Sequence, residues 1–448
     1  MMSWTARRGE TLRRAALIFV SGIVLGTLPL SHKAGAQGTD AMARAEAQVN
    51  AGAYGEAIAA LESMGAQPQP EAEARRLWAL AMAHVRAGRP RAALPHLERL
   101  VSLAPANASV RLELAAALES AGQTERARYH YALARGANLS GDLAQEVDRR
   151  IDRIDRAKNW EGSFRFAYTP ESNAARRTAA ETVVIGDLPF RLKSASRAQP
   201  AKGVELAFGL AALPKLGEDL RLRFGASLDA RLYDGGAPDD IQARAELGFL
   251  QFGDHRRRFG GGLILGQRWI DSKPYSSSRG LYLNWGRALD SRARTNLSFT
   301  LLREQIDYER RTASGTTRSV LAASLTHIAS QRLQLSFGLQ LERTDDVLAS
   351  EAGDTGAITL GARYAFRGGL LADLTMTFSR QERDGPDSLL GITRSDHRQN
   401  IDLKLTHRDW AVGGFAPVLE LGVEKQRSTN TLYSYDNQRI LIGVTRRF

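Results

Sequence analysis

From Asp40 to about Ala157 apolar residues recur with a helical period, and from Trp160 onward the period changes to two. Leu220, Leu222, Phe224, Ala226, Leu228, Ala230 and Leu232 alternate with Arg221, Arg223, Gly225, Ser227, Asp229 and Arg231. Leu333, Leu335, Phe337, Leu339 and Leu341 alternate with Gln334, Ser336, Gly338 and Gln340, and Ile401, Leu403 and Leu405 with Asp402, Lys404 and Thr406. One face is apolar; the other carries charges, hydroxyls and glycine. The pattern predicts fourteen strands, over 160–169, 203–212, 220–233, 241–252, 257–268, 279–289, 294–305, 318–328, 333–343, 356–366, 369–380, 398–408, 417–427 and 438–448. Connections after odd strands are long, as in 170–202, 306–317, 344–355 and 381–397, and those after even strands mostly short, as in 253–256, 329–332 and 367–368. A β-sandwich alternates too, but its loops show no such sidedness. Long outer loops and short inner turns predict an antiparallel transmembrane barrel with both ends on the periplasmic side.

The helical part repeats. Ala51-Gly52-Ala53-Tyr54-Gly55-Glu56-Ala57, Ala87-Gly88-Arg89-Pro90-Arg91-Ala92-Ala93 and Ala121-Gly122-Gln123-Thr124-Glu125-Arg126-Ala127 align. Each places a helix-ending glycine before a small residue where two helices cross closely. The spacing resembles tetratricopeptide repeats, in about three units. Leu143, Val147, Ile151 and Ile154 then form an apolar stripe on a capping helix. The expected fold is therefore an α + β membrane protein, with a tetratricopeptide-type α-solenoid followed by a 14-stranded barrel. The boundaries are 37–140 for a periplasmic repeat domain, 141–158 for the capping and linker helix and 159–448 for the barrel.

The first residues read as an export signal, 1–36. Arg7, Arg8, Arg13 and Arg14 precede an apolar run from Ala15 to Leu30, and Ala34-Gly35-Ala36 supplies a small-residue cleavage pattern. The chain carries +12 formal charge; five basic residues and one acid lie in the signal, leaving about +8. For a periplasm-facing chain this predicts lipid headgroups or acidic cargo as counterparts and no nucleic acid. No cysteine occurs, so no lipid-attachment cysteine, disulfide framework or thiolate metal site is expected.

Candidate functional residues fall into three groups. Arg221, Arg223, Arg231, Arg363 and Lys404, with Glu246, Asp373, Asp402, Glu420 and Glu424, are expected to face the lumen, either wetting it or pairing across it. Trp78, His84 and Tyr129 are candidates for a client groove in the repeats, or else inter-helix packing. Tyr433, Tyr435, Arg439, Gly443 and Phe448 belong to the closing strand and its insertion signal. Trp160, Tyr168, Tyr233, Trp269, Trp285, Tyr364, Phe366, Trp410 and Tyr433 sit where interfacial girdles belong. A rim hydrolase would draw on Asp271 with Ser272, Asp396 with His397, or His327, but none has a verifiable spacing partner. No catalytic, cofactor or metal site is expected.

At the carboxyl end Ser428, Asn430, Leu432, Tyr433, Tyr435, Arg439, Gly443 and Phe448 resemble the closing hairpin of the surface lipoprotein assembly modifier family. Pro170-Glu171-Ser172-Asn173 resembles that family's opening loop, and Arg268-Trp269 with Tyr275 and Gly280 its fifth-loop segment. The resemblance implies a translocator in a Gram-negative outer membrane and no enzyme. Its repeats would engage an exported client, a surface lipoprotein or a small secreted haem-binding protein. The barrel would be inserted by the barrel-assembly machinery and would help the client reach the surface. The alternative is a polysaccharide export porin, for which three repeats are few.

Overall fold

The computed structural model describes residues 36–447 apart from 186–187, 310–314, 389 and 409. The expected export signal, up to residue 35, and Phe448 lie outside the described residues. Seven helices come first among those described: α1 Ala36–Ala51, α2 Tyr54–Ser63, α3 Pro70–Arg86, α4 Pro90–Leu103, α5 Ala108–Ser120, α6 Thr124–Ala134 and α7 Gly141–Ala157. Consecutive helices pack against each other, as a solenoid requires. The three repeat glycines end α1, α3 and α5 in the left-handed region, at φ 84°, 73° and 80°. After α3, Arg89 N donates to His84 O at 2.8 Å and Gly88 N to Val85 O at 3.0 Å, so the glycine turns the chain while satisfying terminal carbonyls. Pro70 and Pro90 open α3 and α4, where no backbone N–H is needed. Leu61, Leu80, Leu97, Leu118, Val147 and Ile151 fill the core between the helices.

The strands are β1 Trp160–Glu171, β2 Thr182–Ile185, β3 Leu188–Arg191, β4 Ala201–Ala212, β5 Leu220–Tyr233, β6 Asp240–Phe252, β7 Arg258–Ile270 and β8 Lys273–Ala288. They continue with β9 Thr295–Tyr308, β10 Thr316–Ile328, β11 Leu333–Asp345, β12 Gly353–Ala365, β13 Leu370–Pro386, β14 Thr393–His407, β15 Ala416–Ser428 and β16 Tyr435–Arg447. Fourteen of them close in sequence order, β1 pairing with both β4 and β16. The outward face is apolar and open, as with Phe224, Leu263, Leu301, Phe337 and Leu360. Because the ring closes, no strand of the fourteen is left with an unpaired edge.

The outer end differs from the expectation in three ways. Segment 269–278 is no loop: Asp271 and Ser272 adopt φ 49° and 62°, a tight hairpin turn that lets β7 and β8 run on to meet. β13 and β14 likewise continue past the apolar belt, shortening the expected 381–397 loop. Connection 170–202 holds a separate hairpin, β2 with β3. Three expected girdle aromatics are also elsewhere, Tyr433 among them in the β15–β16 turn. Tyr233 shares the inward parity of Arg231, and its hydroxyl donates to Glu171 Oε1 at 2.9 Å. Trp410 lies in the β14–β15 turn, stacked on His407 at 4.0 Å.

Candidate functional site

Strand parity sends Arg221, Arg223, Arg231, Arg363 and Lys404 to the inner face, where a directly opposed residue points the same way. Most of these charges are paired. Arg223 binds Glu246 at 2.8 Å and also Glu161, Arg231 reaches Glu205 at 3.3 Å, and Arg363 binds Asp373. Arg439 joins Asp402 at 3.1 Å and also Glu420. Arg221 does not line an open pore; it is 2 % exposed beside the β4–β5 turn and donates to Arg156 O of α7. Tyr282 crosses the gap left by Gly248 and donates to Glu246.

The charges concentrate beside the closing seam. The β1–β16 ladder runs from Ser163–Arg447 to Tyr168–Ile442 and resumes at Glu171–Arg439, lapsing at Thr169 and Pro170, the latter without an N–H. Beyond Glu171 the seam continues through Ser172 N, which donates to Gln438 O at 2.9 Å, and through side chains. Asn437 Oδ1 accepts from Asn173 N at 2.9 Å, and Asn173 Nδ2 donates to Asp436 O at 3.1 Å. Tyr435 donates to Glu424 at 2.6 Å, and Arg176 binds the same carboxylate at 2.9 Å. Nearer the helix-bearing end Leu441 turns inward onto Ala167 and Val418. Gly443 faces Ala167 so closely that an added Cβ would stand 2.1 Å from Phe166 O.

The helices sit across the mouth of the barrel that carries its short turns and touch all six of them. At β4–β5, Arg156 pairs with Asp219. At β6–β7, Arg256 lies 3.7–3.8 Å from Asp148, Asp152 and Asp155 of α7, and Arg258 binds Asp155. At β8–β9, Arg292 donates to Asn138 at 3.0 Å. At β10–β11, Gln331 donates to Ala106 O, and Gly136 approaches Ser330 so nearly that a Cβ would stand 2.2 Å from its carbonyl carbon. At β12–β13, α4 packs on Arg367–Gly369. At β14–β15, the Arg408 guanidinium lies 3.9 Å from the Tyr129 ring centre. Because these turns come from opposite sides of the ring, the solenoid bridges the mouth.

The three groove candidates do not line one groove. Trp78 packs on the solenoid core, His84 is buried and stacked on His96 at 5.7 Å, and Tyr129 meets the barrel turn. His130, which the sequence reading passed over, is buried between Arg111, 3.5 Å from its Nδ1, and Arg408. Burial, then those cations, pushes its pKa well below the ordinary value. Burial also pushes the Arg111 guanidinium down to about 10. On α7, burial raises the carboxyls of Asp148 and Asp152.

The description "surface lipoprotein assembly modifier" matches residues 160–448, and a tetratricopeptide repeat matches 84–138. The chain belongs to the surface lipoprotein assembly modifier family. It is 24 % identical over 373 residues to surface lipoprotein assembly modifier 1 of Neisseria meningitidis, covering 81 % of this chain and 73 % of that protein. It is 21 % identical over 393 residues to the surface lipoprotein assembly modifier of Pasteurella multocida, covering 83 % and 76 %. Among solved structures, a deletion mutant of the TodX monoaromatic hydrocarbon channel aligns at TM-score 0.38 and 8 % identity, over 65 % of this chain and 91 % of that one.

As a surface lipoprotein assembly modifier the chain is an outer-membrane assembly factor of a Gram-negative cell and not an enzyme. The rim candidates fit no shared site either. Asp396 is buried inward beside Arg394 at 3.2 Å, while neighbouring His397 has the opposite parity. His327 faces outward and contacts Thr295 at 2.9 Å. In this family member the closing-hairpin residues have separate tasks. Tyr433 lies in the outer turn under Arg394, Tyr435 and Arg439 hold lumen carboxylates, and Gly443 makes room at the seam.

Proposed function

We propose that this chain receives an exported lipoprotein at the periplasmic mouth and guides it along the barrel to the cell surface. A small secreted haem-binding-type client would use the same route. The carrying observation is the seating of the solenoid on all six periplasmic turns, which obliges anything entering the lumen to meet the repeats first. In this reading residues 37–140 are the receiving domain, 141–158 its capping helix and hinge, and 159–448 the conduit. Lumen charges that are mostly paired keep the wall wet and weaken its hold on any one cargo charge. The barrel-assembly machinery would insert the barrel through its closing strand, and lipid would cover its apolar face.

Co-expression with each exported protein encoded beside this chain, followed by protease shaving of intact cells, tests the proposal. A client should become shaveable with the full chain and stay protected when residues 37–140 are deleted. Client display that is undiminished in the deletion, with the barrel still heat-modifiable, would remove the repeats from the mechanism.

A further inference from the structure

The lumen wall has two unlike sectors, one of eight strands and one of four, with β8 and β9 between them on one side. From β14 through β16, β1 and β4 to β7 it is laced with the ion pairs of Arg439, Arg165, Arg231 and Arg223. The facing sector, β10 to β13, is different. Its inward positions read Ala322 and Ser324, then Ser336, Gly338 and Gln340, then Thr355, Ala357, Thr359 and Gly361, then Thr375, Thr377, Ser379 and Gln381. Charge returns only at its ends, with Arg318 on Glu342 at 2.9 Å outside and Arg363 on Asp373 inside. Among the described residues no ion pair crosses the wall between those ends. A cavity of about 970 Å³ lies between the two sectors, lined by Thr359, Thr377 and Gln340 of one and Asp402, Glu424 and Arg439 of the other.

We infer that the uncharged β10–β13 sector is the track along which an extended client polypeptide passes. An extended chain offers backbone N–H and C=O groups on both sides, every few ångströms, whatever its sequence. Hydroxyls and amides both donate and accept, so they exchange such bonds at little net cost. Thr359 and Thr377 already exchange one at 3.2 Å. Gly338, Gly361, Ala322 and Ala357 keep the track low, and it carries no inward aromatic ring on which a sugar could stack. Without net charge it also has no preference for acidic or basic stretches. The opposite wall, cross-braced by its pairs, holds the seam shut. This track rests on the guiding role proposed above.

The chain has no cysteine, so single cysteines report position directly. The full chain carrying Ser336→Cys, Thr377→Cys or, on the charged wall, Ser227→Cys would be placed in a planar bilayer. The probe is an unstructured polypeptide of Gly, Ser, Asn and Thr with a folded stopper domain at one end and one cysteine held as a mixed disulfide with 2-nitro-5-thiobenzoate, which the barrel thiolate displaces as it forms the new disulfide. Current blockade should report threading, with disulfides forming about tenfold faster at positions 336 and 377 than at 227, because the wall raises the local thiol concentration. Equal rates, faster reaction at 227, or blockade without a disulfide at 336 or 377 would overturn the track and leave the guiding role standing. No blockade of the unsubstituted protein would overturn the guiding role, and the track with it.

Discussion

Asn437 on the last strand donates through Nδ2 to Glu171 Oε2 on the first, at 2.6 Å, with both side chains buried. The bond stands just beyond the lapse at Thr169 and Pro170, where Glu171 again pairs with Arg439 and Ser172 N donates to Gln438 O at 2.9 Å, so a buried side-chain bond reinforces the resumed seam. A buried carboxylate without its donors is costly, and hydrogen bonds to charged groups contribute more than neutral ones. Asn437→Ala should weaken the seam by about 2 kcal/mol and lower the temperature at which the barrel loses its heat-modifiable form on gels. An unchanged transition would show that the pair does not hold the ring closed.

Gly443 sets a second requirement at the same seam. Any Cβ there meets Phe166 O at 2.1 Å and Ala167 at 2.6 Å, and backbone cannot step aside without breaking the ladder. Gly443→Val should therefore abolish accumulation of folded barrel in the outer membrane. Gly356→Ala, where nothing lies within 4 Å of an added Cβ, should accumulate as the parent does. Equal accumulation of both variants would refute the steric argument.

The mouth is held by charge between α7 and the β6–β7 turn. Asp155 meets both Arg256 and Arg258, and Asp148 meets Arg256 at 3.7 Å. Removing these carboxylates takes the Asp148 partner from buried Arg135 and the Asp155 partner from Arg258, and leaves Arg256 only Asp152 at 3.8 Å, which is more damaging than losing a surface pair. Asp148→Asn with Asp155→Asn should speed hydrogen exchange in residues 253–258 and expose the 157–160 link to protease, while the barrel keeps its heat-modifiability. Exchange at the parental rate in that turn would mean that these pairs do not seat the solenoid.

His130 makes the repeats sensitive to acid. Its folded-state pKa is depressed, so below the ordinary value of about 6.5 the unfolded chain binds a proton that the folded one refuses. Stability is thus full above that pH and falls as pH drops, by at most about 1.4 kcal/mol per pH unit for this one group. His84 and His96, lowered by burial, act in the same direction. Melting of the repeats between pH 7.5 and 5.5, followed by circular dichroism, should show a loss that is smaller in His130→Gln. A loss of equal size in that variant would exclude His130.

Strand number and facing were legible because alternation is local: the apolar set of 220–233 and the polar set between them could sit only on opposite faces. The repeat glycines were legible for a similar reason, since a left-handed helix end is a property of one residue. Less was readable where geometry depends on distant chain. Asp271 and Ser272 look like loop residues, yet a two-residue turn joins two strands that outlast the apolar belt. Tyr129 looks like a groove aromatic, and its partner Arg408 comes from a barrel turn.

Local periodicity therefore already contained the solenoid, the fourteen-strand ring and the inward set of charges, because a pleat or a helical turn constrains only neighbours. Which charges pair, where the lumen is left neutral and where the solenoid rests depend on register around a closed ring. That ring brings Asn437 to Glu171 across 266 residues, and no short window of sequence carries such a distance.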